Sequence, residues 1–354
     1  MQPQQWWLWA GFIVFVLMML ALDLGVFHRK VHAISTREAL RWTAFCIVLA
    51  LGFNVAVYFI YEHQWLGFGA PTEHRPRLDG REAAYQFFGG WLIEQSLSVD
   101  NIFVIALVFS YFCVPPHYQH RTLFWGILGA LLLRFPMILA GAVLLNKFHW
   151  IIYVFGALLI YAAVKMLLAG EDSVEPEHNP LVRIARRFFP ISSHFDKEHF
   201  FTEIDGRRVM TPLFLVLLVV ESTDVMFAID SIPAVFTITK DPFLVFTSNV
   251  FAILNLRSLY FALAGTMSLF RYMKQSLVFV LAFVGVKMMI EDFYHIETAL
   301  SLSIIGGILA VGVLASLVAS RRGGRPGGDR RSPDESQEAD GDTNPPQMQA
   351  YADD

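Results

Sequence analysis

Glu94 and Asp100 lie six residues apart in an apolar stretch, with Asn101 directly after the second acid. The same arrangement returns at Asp224, Asp230 and Ser231. An ionised carboxylate is costly in hydrocarbon, so such groups usually face a bundle interior or an aqueous pathway. Carboxylates, an amide and a hydroxyl form an all-oxygen set. Hard divalent cations such as Mn²⁺, Mg²⁺ and Ca²⁺ favour that set, whereas Zn²⁺ and Cu⁺ favour His and Cys. Neither motif contains His or Cys, and Glu221 adds one more acid three residues before Asp224. The candidate metal ligands are therefore Glu94, Asp100, Asn101, Glu221, Asp224, Asp230 and Ser231. These acids carry more negative charge than one divalent ion needs. Arg134 and Arg257, each inside an apolar run, would balance part of it when the site is empty. Protons would balance the rest, so proton-for-metal exchange is the expected chemistry. Lys165 and Lys287 are further charge-balancing candidates, but they fall near the predicted membrane boundaries, where snorkelling to the interface is the simpler role.

The elements that position these residues must be membrane spans. Of 354 residues, 55% are hydrophobic and 16% charged, and the mean hydropathy is +0.48. Such values describe a polytopic membrane protein, not a soluble domain. A helix needs roughly 20 apolar residues to cross the hydrocarbon. Nine stretches qualify: 6–27, 39–61, 83–113, 122–145, 150–169, 210–239, 243–266, 274–293 and 298–320. The predicted fold is an all-α bundle of about nine transmembrane helices over residues 1–320. A polar loop, 170–209, separates spans five and six. A tail, 321–354, is too poor in apolar residues to fold and is predicted to be disordered. Trp6, Trp7 and Trp9 read as an interfacial anchor for a retained first span. Cys46 and Cys113 read as small buried hydrophobes.

Arginine and lysine set the orientation. With the N-terminus outside, eighteen of them fall on inner segments, against Arg75, Arg77, Arg81, Lys147 and Lys240 outside. The positive-inside rule then predicts a cytoplasmic tail.

The motifs also belong to a longer repeat. Arg134 precedes Val164-Lys165-Met166 by about the interval that separates Arg257 from Val286-Lys287-Met288. Acidic motif, buried Arg and late Lys thus recur in order on spans 3–5 (about 83–169) and 6–8 (about 210–293). Three spans per unit force the second unit to enter from the opposite side, giving two inverted three-helix repeats. Transporters built this way hold their substrate near the midplane, between the repeats. Residues seven apart in a helix nearly eclipse. Glu94 therefore shares a face with Asn101, and Asp224 with Ser231, while Asp100 and Asp230 point elsewhere. Pro233 removes a helical donor, and a helix break there would turn Asp230 back towards the site.

At these residues the chain resembles the TerC/Alx family of integral membrane proteins. The matching pieces are Asp23 to Lys30 (DLGVFHRK), Glu94 to Asn101 (EQSLSVDN), Asp224 to Ala234 (DVMFAIDSIPA) and Thr247 to Phe261 (TSNVFAILNLRSLYF). The resemblance covers roughly 1–320. It implies a bacterial inner-membrane protein associated with manganese export, with pH-responsive expression in the Alx branch and tellurite-resistance operons in the TerC branch. It also implies kinship with LysE-type exporters. Asp100, Asn101, Asp230 and Ser231 fall on the family's acidic signature, and Glu94 and Asp224 on its upstream acids.

The function expected is therefore a secondary transporter in the lipid bilayer. Its cargo would be a divalent cation, Mn²⁺ foremost, carried without a permanently bound cofactor. The alternative is a non-transporting membrane hub for stress-resistance or membrane-assembly complexes. For any single acid, an ion pair that merely fixes helix packing competes with a role in transport; duplication of the motif favours transport. No nucleic-acid partner is implied. No Ser/His pair, phosphate loop or HExxH motif lies in the spans, so no enzymatic activity is expected.

Overall fold

The computed structural model describes residues 5–27, 36–71, 77–148, 150–168, parts of 190–204, 207–263, 272–290 and most of 293–323. Among these residues are nine α-helices: α1 (Trp6–Phe27), α2 (Thr36–Glu62), α3 (Gly80–Tyr111), α4 (Pro116–Lys147), α5 (Ile151–Leu168), α6 (Pro212–Phe236), α7 (Pro242–Leu263), α8 (Met273–Ile290) and α9 (Thr298–Gly323). Seven of them, α2 to α7 and α9, are long and apolar enough to cross a membrane. The described apolar parts of the other two, Trp6–Leu22 and Gln275–Ile290, are shorter. The predicted spans match the helices to within a turn or so at most ends. The largest difference is the start of α4, where Pro115 and Pro116 open the helix six residues before the apolar run. Proline suits that position because its missing N–H would have had no helical partner.

The predicted loop 170–209 holds structure that its polarity concealed. Strands β1 (Phe201–Ile204) and β2 (Arg207–Met210) pair antiparallel, Phe201 opposite Met210 and Ile204 opposite Arg207. An Asp-Gly pair between two short segments is the sequence signal for such a hairpin. The remainder of the predicted loop up to residue 189 and the tail from residue 324 lie outside the described residues.

Helix α7 is the axis of the bundle. Its apolar window is 89% buried, against 28% for α2 and 22% for α9, which turn large hydrophobics such as Val48, Val55, Val311 and Leu314 outward. Helices α3, α2 and α4 pack on α7, α4 packs on α6, and α5 packs along α8. At that last seam a Cβ on Gly285 would lie 2.9 Å from the Gly156 carbonyl, and one on Gly156 3.0 Å from the Gly285 carbonyl. The two backbones touch, which is how small residues let helices approach in lipid.

Two expectations of side-chain placement change. Trp6 and Trp7 are exposed as an anchor requires, but Trp9 is buried among Phe135, Phe243 and Phe246. One helical turn separates Trp6 from Trp9, yet only Trp9 faces α7. Cys46 is buried, whereas Cys113 is exposed just past the end of α3.

Candidate functional site

Three local features set the site. Asp79 caps α3 by accepting the Glu82 amide at 2.8 Å, fixing where the helix starts and so which residues share its buried face. Gly90 then lets α7 approach: a Cβ there would stand 2.8 Å from Ser248 Oγ. One turn further along α3 is Glu94, and next to Ser248 on α7 is Asn249, so this close approach sets the two side chains against each other. Gly129 plays the same part on α4, where a Cβ would run into the Glu221 carboxylate of α6. About a turn beyond Gly129 comes Arg134.

Arg134 is the centre. Its Nη2 donates to Asp224 Oδ1 at 2.8 Å and its Nε to Asp224 Oδ2 at 3.1 Å, a two-point grip on one carboxylate. Nη1 donates to Glu94 Oε1, to Asn249 Oδ1 at 3.0 Å and, at 3.5 Å, to Ser231 Oγ. Asn249 Nδ2 closes the ring by donating to Glu94 Oε2 at 3.1 Å. The side chains of Arg134 and Glu94 are 2% and 1% exposed, and that of Asp224 is 13%. Four helices, α3, α4, α6 and α7, thus deliver one cation and two carboxylates to a sealed point. Charge-assisted, bidentate contacts of this kind are the strong ones, and their net charge is one negative.

Beside this cluster is a small, partly open cavity of about 20 Å³, room for roughly one water-sized group, walled by Asn101, Ile105, Leu123, Gly126, Ile127, Ala130, Val220, Thr223, Asp224, Phe227, Ile253 and Leu256. Asp224 belongs to both. The Asn101 side chain is buried, and its Oδ1 has no hydrogen-bond partner among the described residues. The same holds for Glu221 Oε2, whose carboxylate also feels the charge of Asp224.

Of the sequence candidates, Glu94, Arg134, Asp224 and Ser231 meet directly. Asn101 joins them through the cavity and Glu221 through Asp224. The helical-face argument holds: Glu94 and Asn101 are both buried while Asp100 is half-buried, and Asp224 and Ser231 both reach Arg134. Asp100 and Asp230 do not contact Arg134. Asp230 is half-buried on another side of α6, within electrostatic reach of the exposed Lys165 of α5. Arg257 is buried on α7, its Nη1 2.9 Å from His120 Nε2 of α4. Among the described residues no three His, Cys, Asp or Glu side chains converge as a ready metal cage, since the guanidinium stands between Glu94 and Asp224.

Two expectations need correction. Helix α6 runs through Pro233 to Phe236 without a break; the proline lies in the final turn, where few helical bonds remain to be lost. Asp230 therefore keeps the direction the unbroken helix gives it. Lys287 does not snorkel: it is buried and donates to the Thr237 carbonyl, 3.3 Å away past the end of α6. Asn249, which the motifs do not single out, joins the site by bonding both Arg134 and Glu94. Its place in an apolar run was the only available signal. A second proline, Pro136, sits inside α4 two residues after Arg134.

A bundle of apolar helices enclosing a carboxylate–guanidinium cluster defines a multi-pass α-helical membrane protein. The family model described as "Integral membrane protein TerC family" matches residues 79–324, and the chain belongs to that family. It is 51% identical over 314 residues to an "Uncharacterized membrane protein STKORF319" of Myxococcus xanthus, covering 89% of this chain and 93% of that protein. It is 46% identical over 305 residues to the Escherichia coli (strain K12) protein named "Putative membrane-bound redox modulator Alx", covering 86% and 92%. An "Uncharacterized membrane protein" of Rickettsia bellii is 34% identical over 88% of this chain and 97% of its own. No solved structure matches.

Proposed function

We propose that the protein is a secondary transporter that exports a divalent metal cation, Mn²⁺ foremost, across the bacterial plasma membrane in exchange for protons. The N-terminus lies outside and the tail in the cytoplasm. The observation that carries this reading is the Arg134 cluster: Glu94 comes from one motif and Asp224 with Ser231 from the other, and together they present oxygens only. Hard divalent cations take such donors. The helix pairings support the repeat behind it. Exchanging α3–α4–α5 for α6–α7–α8 leaves the contacts α3 with α7, α4 with α6 and α5 with α8 unchanged, a pattern that agrees with two repeats related by a pseudo-two-fold axis. The small cavity at Asp224 supports the reading by giving an ion a place to approach this carboxylate. The redox role in the name of the Alx relatives finds no dithiol here, since Cys46 and Cys113 are both free.

The test is cellular manganese and growth on excess Mn²⁺, comparing wild type with Asp224→Asn and Asp100→Asn at equal membrane levels. A transporter loses export in both variants, with cell manganese rising several-fold. Unchanged manganese would leave the membrane-hub reading instead. In everted vesicles, Mn²⁺ uptake should follow an imposed pH gradient, and indifference to that gradient would remove the proton coupling.

A further inference from the structure

The oxygens that hold Arg134 are those a dication would take. Glu94 Oε1, both carboxylate oxygens of Asp224, Ser231 Oγ and Asn249 Oδ1 all accept from its guanidinium. Against two carboxylates, one guanidinium leaves a net negative charge, whereas a dication would leave none. The cavity reaches this set at Asp224, the more exposed of the two acids. In the cavity wall Asn101, only 3% exposed, brings an Oδ1 with no hydrogen-bond partner among the described residues. A buried acceptor without a donor is costly, and a cation arriving at Asp224 would satisfy it. Two residues beyond Arg134, Pro136 deprives the Leu132 carbonyl of its helical donor, which makes this the turn of α4 that bends most readily.

We propose that Arg134 is a tethered competitor for the transported cation. An ion entering through the cavity displaces the guanidinium from Asp224 and then from Glu94. The guanidinium returns when the ion leaves. The proposal rests on the transporter reading and adds to it what fills the site between cargoes: the carboxylates never stand bare while the protein changes face. Apparent affinity is then reduced by the fraction of molecules in which Arg134 occupies the site.

The experiment is Mn²⁺ binding by calorimetry on the purified full-length protein in detergent. Arg134→Ala should bind Mn²⁺ about tenfold tighter or better, as expected when an occupying competitor is removed. Millimolar guanidinium chloride should return that variant towards wild-type affinity while leaving wild type unchanged. Binding no tighter than wild type, or indifference to guanidinium, overturns the proposal. If Arg134→Ala does not survive extraction, Arg134→Lys decides. A single ammonium cannot grip Asp224 at two points, so Mn²⁺ should bind that variant several-fold tighter, and equal or weaker binding is the overturning result. If neither wild type nor any variant binds Mn²⁺, the transporter reading itself falls, a result distinct from binding with unaltered affinity.

Discussion

The first acids of the two motifs and the second acids have different surroundings, although all sit in apolar helices. Glu94 and Asp224 meet at Arg134, with side chains 1% and 13% exposed. Asp100 and Asp230 are half-buried, and Asp230 looks towards the exposed Lys165. Six residues on a helix turn through about 600°, which leaves the second acid well away from the first. One motif therefore serves two places: a sealed point where four helices join, and a more open flank. Burial makes the first set energetically indispensable. Asp230, half-buried on its flank, can change its charge at less structural cost than Glu94.

That contrast can be broken most violently at Glu94. Glu94→Ala takes one of two carboxylates from Arg134 and the acceptor from Asn249 Nδ2, and removing one partner of a buried ion pair costs about 3–5 kcal/mol; a large fall in thermal midpoint in detergent is expected. Asn249→Ala removes hydrogen bonds to two charged groups and should cost about 1.5–3 kcal/mol on the same assay. Gly129→Ala drives a methyl into the Glu221 carboxylate and should cost about 1–3 kcal/mol, the usual range for overpacking. Asp230→Asn sharpens the contrast from the other side: its thermal midpoint should stay close to wild type while the manganese export proposed above is lost. Lys165→Met should shift the midpoint least of all. A destabilisation by Asp230→Asn as large as that of Glu94→Ala would abolish the distinction between the two sets.

The helices and the motif faces were legible in the sequence because both follow from periodicity. Apolar runs marked the spans, and a seven-residue interval put Asp224 and Ser231 on one side of α6. What escaped depended on neighbours that periodicity does not supply. Asn249 acquires its role from Gly90 of α3, which sets how closely α7 approaches. Lys287 is near a helix end, yet the start of the α6–α7 connection covers it through Thr237. Pro233 carries the residue type of a helix break but lies too close to the end of α6 to make one. The hairpin 201–210 was hidden by the polarity of its loop, even though Asp205-Gly206 stood in the sequence.

The glycine contact between α5 and α8 bears on all of this from a distance. At Gly156 and Gly285 the backbones meet with no side chain of their own between them, and Ile160, Met288 and Met289 close in around the contact. The two backbones form a close-set bearing. Through Lys165 on one helix and Lys287 on the other, that bearing also carries both late lysines of the repeat. A single methyl group at either glycine would wedge the two backbones apart without altering one charge nearby.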